Sequence, residues 1–219
     1  MSTSARAVLF DLDGTLVDSA PDLAGAANDL RAEHGLPPLP YAQLRPLVGS
    51  GARGMVGAAF DCAPGDPRFD ALREAFLTQY ERRMLRSTVL FDAVGEVIGA
   101  LERAGLGWGI VTNKHGRFAE PIVAALGLRA GTLVCGDTTP HAKPHPAPLL
   151  EAARRLGLPP IDCIYVGDDL RDMQAGRAAG MPVLAAAWGY LGVGDAVHDW
   201  GADAVLESPA ELLNWLRLA

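Results

Sequence analysis

The stretch Ala7-Val8-Leu9-Phe10-Asp11-Leu12-Asp13-Gly14-Thr15 joins an apolar run to two carboxylates and then to a glycine. Its apolar half predicts a short strand that is buried on both faces, as in a parallel sheet, and Gly14 ends that strand. Asp11 and Asp13 then lie at the carboxyl end of a strand, where open α/β sheets bind ligands. Two carboxylates on one side of an extended backbone repel each other and favour a neutralising cation such as Mg²⁺. The alternative is a surface turn in which Asp13-Gly14 only reverses the chain.

The composition is that of an acidic globular chain. Its 219 residues, 49% of them hydrophobic, can bury a substantial core, either as one large domain or as a core with a smaller insert. A net charge of -7, a pI near 5.2 and the lack of any basic block argue against a nucleic-acid partner. An anionic substrate would therefore have to be bound by a few positioned basic side chains or by a metal ion. No apolar run of about 18 residues is present, so we expect no membrane partner.

The cysteines indicate a reducing compartment. Cys62, Cys135 and Cys163 are odd in number, widely spaced and set in apolar surroundings. Reduced thiols in a cytoplasmic protein are therefore favoured over disulfides. Residues 1–6 contain one arginine and no apolar stretch, so we expect no signal peptide.

Hydrophobic periodicity divides the chain into two parts. Helical patterns replace strands after Thr15 and predict an all-helical insert, residues 17–86. From Val94 onward helices and strands alternate, which is typical of a parallel sheet covered by helices. We predict an α/β fold, a doubly wound, Rossmann-like parallel-sheet core of residues 1–16 and 87–219 with that insert. The expected helices are 22–34, 41–48, 52–60, 68–85, 94–104, 117–126, 146–156, 170–179 and 210–216, and the expected later strands are 108–112, 132–135, 161–166, 183–186 and 204–206.

Three further polar clusters are predicted at the same edge of the sheet as Asp11. Thr112-Asn113-Lys114 follows a strand, Lys143-Pro144-His145-Pro146 precedes a helix, and Val166-Gly167-Asp168-Asp169-Leu170-Arg171-Asp172 follows another strand. Each cluster alone has an ordinary explanation, as a helix cap or a solvated surface charge. In this order and on this alternation of elements, they indicate one site.

The four clusters together resemble the four motifs of the haloacid-dehalogenase-like hydrolase superfamily, whose members are mostly Mg²⁺-dependent phosphatases. The resemblance runs from Ala7 to about Leu206 and implies that residues 17–86 form a helical cap domain. It also implies a role for each polar residue that matches a motif. These are a nucleophile at Asp11, a general acid/base at Asp13, a phosphate ligand at Thr112, its cation at Lys143, and an acidic metal pair at Asp168 and Asp172.

The chemistry of phosphate esters supports these roles. A carboxylate nucleophile and a phosphoryl group are both anionic, so attack needs a metal and a second cation beside them. Mg²⁺ would take Asp168, one oxygen of Asp11 and the backbone carbonyl of Asp13. Thr112 and the backbone N–H groups that follow Asp11 would meet the other phosphoryl oxygens. The remaining predicted substrate-binding residues next to the phosphate are Gly14, Thr15 and Asn113.

A glycine-rich segment, Gly49-Ser50-Gly51-Ala52-Arg53-Gly54, matches the G-x-G-x-x-G pattern of dinucleotide sites. No strand precedes it, because residues 41–48 contain Pro46 and are expected to be helical, so a nicotinamide or flavin site is disfavoured. We interpret it as a loop at a helix N-terminus that meets an anion. Gly51 and Arg53 are predicted to bind substrate, Arg53 by pairing with a carboxylate. The alternative is a solvated arginine.

Other stretches resemble one branch of the superfamily, the phosphoglycolate phosphatases, and more closely the bacterial phosphatases of N-acetylmuramic acid 6-phosphate. The resemblance implies a small phosphorylated metabolite that carries a carboxylate. Ala93 departs from the family, since many members place proline there, and this departure bears on the hinge of the cap. The stretches that carry this resemblance are 51–53, 108–114, 117–122, 168–172 and 200–203.

Rival functions are separated by Asp13. A dehalogenase expels halide without needing a proton, so an acid two residues after the nucleophile favours phosphoryl transfer. Sugar phosphomutases share both acids and stay open as an alternative. A phospho-aspartate receiver module, which is not an enzyme, needs neither the second acid nor the insert. His115 either touches substrate or is a solvated loop residue, and we expect the protein to be a monomer.

Overall fold

A computed structural model describes residues 5–218 and confirms the α/β fold with a helical insert. Residues 1–4 and 219, which belong to the predicted core domain, lie outside the described residues, as does most of the segment 1–6. Within residues 5–218, no helix has both the length and the apolar character needed to span a bilayer. The strands are β1 (Ala7–Phe10), β2 (Val17–Asp18), β3 (Val89–Leu90), β4 (Gly107–Val111), β5 (Leu133–Val134), β6 (Cys163–Gly167), β7 (Val183–Ala186) and β8 (Ala204–Leu206). The α-helices are α1 (Ala20–Glu33), α2 (Tyr41–Leu44), α3 (Gly51–Phe60), α4 (Phe69–Arg83), α5 (Val94–Arg103), α6 (Gly116–Ala125), α7 (Ala147–Leu156), α8 (Leu170–Ala179) and α9 (Glu211–Leu216).

The main sheet has six parallel strands in the order β5-β4-β1-β6-β7-β8. Strand β1 lies in the interior, where Phe10 pairs with Ile110 of β4 and Val166 of β6. The direction in which successive strands are added reverses beside β1, so a crevice opens between the carboxyl ends of β1 and β6. Asp11, which continues β1, donates its N–H to the Val166 carbonyl at 2.9 Å. The predicted nucleophile is therefore fixed at the mouth of this crevice.

The strands are apolar on both sides because helices cover both faces of the sheet. In β1, Val8 and Phe10 pack in one buried cluster with α5, α6 and α9. Ala7 and Leu9 point to the opposite face and pack with α7 and α8. This is why the strand has no polar alternation in its sequence.

The insert has its own hydrophobic core, built from α1, α3 and α4 around Leu30, Met55 and Phe76. The predicted helix 41–48 is instead the single turn of α2 followed by a 3₁₀ helix, Arg45–Ser50. Pro46 explains the difference, since it has no N–H to continue an α-helical ladder. The cysteines Cys62, Cys135 and Cys163 are free and buried, as expected of reduced thiols.

Two linkers join the cap to the core, and a small antiparallel sheet of β2 and β3 ties them together. This sheet is not predicted from the sequence because each strand has only two residues. Asp22 of α1 fixes the return linker, accepting hydrogen bonds of 2.9 Å from the Ser87 N–H and from both the N–H and hydroxyl of Thr88. Residues 17–86 remain our proposed extent of the cap. Ala93, the residue before α5, has φ +64°. Proline cannot adopt this conformation, because its ring fixes φ at about −65°.

Candidate active site

The carboxyl ends of β1, β4 and β6 meet the loop before α7 at a cavity of about 510 Å³, which the cap covers. The four sequence clusters therefore lie at one site. Among the predicted site residues, those that line the cavity are Asp11, Asp13, Gly51, Thr112, Asn113, Lys143, Asp168 and Asp172. The predicted residues Gly14, Thr15 and Arg53 do not line it.

Three carboxylates converge on the floor of the cavity. One oxygen from each of Asp11, Asp168 and Asp172 lies within 4.8 Å of the others. Burial raises the pKa of Asp11 from 3.8 to about 6, against the opposing effect of Lys143. Burial, together with the charges of Asp11 and Asp172, raises the pKa of Asp168 well above its ordinary value. Crowded, buried oxygen donors of this kind fit a hard divalent cation, which would relieve their repulsion.

Lys143 supplies the positive charge of this floor. Its buried ammonium lies 3.0 Å from Asp11 Oδ1 and 2.7 Å from Asp172 Oδ1. It also donates to the Tyr165 hydroxyl at 2.7 Å and to the Val111 carbonyl at 3.1 Å. Burial acts to lower the pKa of Lys143, but the two carboxylates outweigh it and the pKa is raised. The lysine is therefore a fixed cation beside the predicted nucleophile, Asp11.

Asn113 holds the loop that carries Lys143. Its amide donates to the Lys143 carbonyl and accepts from the Lys143 N–H, both at 2.9 Å. Asn113 also lines the cavity, and its contact with substrate stays a prediction. The Thr112 hydroxyl accepts from the Lys114 N–H at 3.1 Å, and the buried threonine faces the cavity.

Gly14 and Thr15 lie beside Asp168 and do not line the cavity. The Gly14 N–H donates to the Val17 carbonyl at 2.9 Å, and the Thr15 N–H contacts the Leu12 carbonyl at 3.4 Å. A Cβ atom on residue 14 would lie 2.1 Å from Asp168 Oδ2, and φ there is +83°. Only glycine permits this approach. The Thr15 hydroxyl donates to Asp168 Oδ1 at 3.2 Å, so both residues contact Asp168, and their binding of substrate stays a prediction.

The carboxylate of Asp13 is not part of the acidic triad. It accepts from the Lys114 ammonium, 3.0 Å from Oδ1 and 3.1 Å from Oδ2, and from the Ser19 hydroxyl in the linker to the cap. Asp11 and Asp13 therefore each have their own lysine, a separation that the sequence did not predict. One carboxylate belongs to the acidic triad, and the other pairs with Lys114 outside it.

The cap forms the roof of the cavity through α4 and the glycine-rich segment. Gly51 is at this surface, whereas the Arg53 side chain is exposed on α3. Arg53 therefore does not line the cavity, and its contact with a substrate carboxylate stays a prediction. Arg171 of the core donates to the Gly49 carbonyl, and Arg117 of α6 pairs with Glu81 of α4.

Lys114 and Tyr80 line the cavity and were not predicted as site residues. Lys114 belongs to a predicted strand-end cluster, so its neighbours could have revealed it. Tyr80 sits in the middle of α4 and gives no sequence signal apart from its apolar spacing. His115, left open between two interpretations, caps α6 by accepting from the Arg117 N–H at 3.1 Å, and its Nε2 lies 3.3 Å from Asp137.

Mg²⁺ should raise the melting temperature more at pH 7.5 than at pH 5.0. Asp11 has a pKa of about 6 in the folded protein and 3.8 as its ordinary value, so the metal-free fold loses stability as the pH rises through this range. Ionised carboxylates bind metal, whereas protonated ones do not. Saturating Mg²⁺ at pH 7.5 should add about 2 to 3 kcal/mol, or roughly 5 to 10 °C, measured by differential scanning fluorimetry.

The control for this shift is Asp168→Asn, which keeps the side-chain shape and should lose most of the Mg²⁺ effect. Equal Mg²⁺ shifts at the two pH values would contradict a carboxylate site of this kind.

Comparison with known proteins agrees with this geometry. A model of the haloacid dehalogenase-like hydrolase family matches residues 5–180. The chain is 44% identical over 216 residues to the N-acetylmuramic acid 6-phosphate phosphatase of Pseudomonas aeruginosa, covering 98% of this chain and 96% of the relative. It is 48% identical over 209 residues to the phosphoglycolate phosphatase of Xanthomonas campestris pv. campestris, covering 94% of each.

A solved structure shows the same fold along nearly the whole chain. The crystal structure of a predicted phosphoglycolate phosphatase from Haemophilus somnus 129pt superposes with a TM-score of 0.87 at 28% identity. The superposition covers 98% of this chain and 99% of that one. With a family model and close relatives that span most of its length, the chain belongs to the haloacid dehalogenase-like hydrolase family, which confirms the resemblance of its four motifs.

Proposed function

We propose that this enzyme is a Mg²⁺-dependent phosphatase that hydrolyses a small, carboxylated phosphate monoester through an aspartyl-phosphate intermediate. One observation carries the proposal. Asp11 belongs to the acidic triad, and its Oδ1 lies 3.0 Å from the buried ammonium of Lys143. The chain is a phosphoric monoester hydrolase, since its close relatives of both kinds are phosphatases. Their names supply the two candidate substrates, phosphoglycolate and N-acetylmuramic acid 6-phosphate.

In the first step, a carboxylate oxygen of Asp11 forms a bond to phosphorus as the bond from phosphorus to the ester oxygen breaks. Asp13 donates a proton to the departing oxygen, so that an alcohol leaves. Lys143 neutralises negative charge beside the phosphoryl oxygens, and Thr112 is placed at the cavity wall to bind one of them. Mg²⁺, held by Asp11, Asp168 and Asp172, would supply further charge neutralisation and orientation when bound.

In the second step, Asp13 takes a proton from water, and the resulting hydroxide attacks the phosphorus of the aspartyl-phosphate. The bond between phosphorus and the Asp11 oxygen breaks, which releases inorganic phosphate and regenerates the carboxylate. Ser19 and Lys114 hold the Asp13 side chain beside the cavity for both proton transfers. One residue can do both because the first step leaves it ionised and the second restores its proton.

The test is release of inorganic phosphate by the purified protein from phosphoglycolate and N-acetylmuramic acid 6-phosphate. Both esters, assayed with Mg²⁺ and with EDTA, should show metal-dependent turnover, and at least one should reach the ordinary enzymatic range of about 10⁴ M⁻¹s⁻¹ in kcat/KM. The sugar phosphomutase alternative would instead yield an isomeric sugar phosphate with little free phosphate. No phosphate release from any ester, or the same rate in EDTA, would refute the proposal.

A further inference from the structure

The hydroxyl of Tyr80 is the starting point. Tyr80 belongs to α4 of the cap, is 1% exposed and lines the cavity. Its hydroxyl is buried and has no hydrogen-bond partner among residues 5–218. A buried hydroxyl without a partner destabilises a fold, whereas phenylalanine would fill the same space without that cost. The polar atom therefore points to a partner that the protein chain does not provide.

A second donor lies beneath the same ring. The Lys114 ammonium is 4.7 Å from the centroid of the Tyr80 ring and lines the cavity with it. Its two hydrogen bonds both go to the carboxylate of Asp13. An ammonium has three N–H groups, so Lys114 can donate to an acceptor besides Asp13. Two donors, one of them cationic, thus lie side by side at the cavity.

Both groups stay protonated at neutral pH. Burial raises the pKa of Tyr80 to about 12, although Lys114 acts against this rise. Burial would lower the pKa of Lys114, but Asp13 and Tyr80 outweigh it and raise that pKa. The protonated hydroxyl and the ammonium can both donate, and they favour an oxygen with negative charge, because charged acceptors form the stronger hydrogen bonds.

We propose that Tyr80 and Lys114 form a specificity subsite that binds the carboxylate of the substrate. This inference rests on the proposed function and names the residues that recognise the carboxylate. The subsite spans the two domains, because Tyr80 belongs to the cap and Lys114 follows β4 of the core. It is complete only when α4 covers the core. Carboxylate binding therefore favours the closed arrangement in which Asp13 faces the ester.

The structure separates this subsite from the alternative at Arg53. The Arg53 side chain is exposed and does not line the cavity, whereas Tyr80 and Lys114 both do. A guanidinium outside the cavity would contact a bound substrate only after α3 had moved. The two hypotheses therefore predict different responses to substitution.

The experiment compares esters that differ in the carboxylate. One pair is phosphoglycolate and ethyl phosphate, and the other is N-acetylmuramic acid 6-phosphate and N-acetylglucosamine 6-phosphate. Tyr80→Phe should lower kcat/KM about 10- to 100-fold for the carboxylated member of each pair that the enzyme hydrolyses, the usual loss for a hydrogen bond to a charged group. It should leave the member without a carboxylate within about twofold. Its melting temperature should equal or exceed that of the wild type, since only an unpaired hydroxyl is removed.

Tyr41→Phe is the matched control, because Tyr41 is a cap tyrosine that is 43% exposed and lies outside the cavity. It should change none of these values, and Arg53→Ala should preserve the preference for carboxylates. An equal loss on both members of a pair, or an unchanged preference in Tyr80→Phe, would overturn the subsite while wild-type turnover still upholds the phosphatase. Wild-type protein that releases no phosphate from any of the four esters would refute the phosphatase itself, and the subsite with it.

Discussion

Asp11→Asn should lower kcat by at least about three orders of magnitude, because the amide has no charge with which to attack phosphorus. The variant keeps the size of the side chain, and Asn can still accept the Leu12 N–H, which contacts Asp11 Oδ1 at 2.7 Å. It also removes a buried charge from a crowded acidic site. The melting temperature should therefore be maintained or slightly raised while turnover is lost.

The measurement is steady-state hydrolysis together with single-turnover detection of the aspartyl-phosphate, which the variant should not form. Asp195→Asn provides the matched control, since Asp195 is exposed and lies outside the cavity. More than a tenth of the normal kcat in Asp11→Asn would exclude covalent catalysis by this residue.

Asp13→Asn should lose about 10²- to 10⁴-fold in kcat at every Mg²⁺ concentration, the range of general acid–base catalysis. The Asp13 carboxylate is outside the acidic triad and pairs with Lys114, so its loss removes proton transfer and leaves the triad intact. Asparagine also keeps the backbone carbonyl that was predicted as a metal ligand. Excess Mg²⁺ should therefore not restore kcat in this variant.

Asp168→Ala is the companion variant, and it should respond to metal in the opposite way. It removes a buried carboxylate of the triad, so the apparent affinity for Mg²⁺ should fall and raised Mg²⁺ should restore part of the rate. The experiment is a Mg²⁺ titration of kcat for both variants. Equal rescue of the two would mean that the division between proton transfer and metal binding is wrong.

The parallel core could be predicted because its signals are local. An apolar run such as Ala7–Phe10 is long enough for a buried strand, and helix α8 and strands β7 and β8 have the bounds that were expected. Strands were missed or misjudged where their existence or length depends on pairing with distant parts of the chain. Strands β2 and β3 exist because the two linkers meet, and β5 is only Leu133–Val134 of the expected 132–135, since pairing with β4 defines its length.

The site follows the same division. The strand-end acids could be placed by topology alone, because parallel strands bring their carboxyl ends to one edge. The contacts of Asn113 and Gly14 are hydrogen bonds between loops and within a turn, and no residue spacing in the sequence predicts them. The position of Tyr80 above Lys114 depends on how the cap docks on the core, and the sequence of either domain alone does not contain that arrangement.

The interior position of β1 has a consequence for synthesis on the ribosome. Ala7 pairs with Gly107 and with Cys163, so the first strand to emerge has neither neighbour until much of the chain has been translated. Helices α1 to α4 make contacts that are local in sequence, and such contacts form early. We expect the cap to fold during translation while the apolar strand β1 is still unpaired. A partly folded chain with an exposed apolar strand is prone to aggregation. The carboxylates of the acidic triad meet last, when β6 and the residues after it leave the exit tunnel.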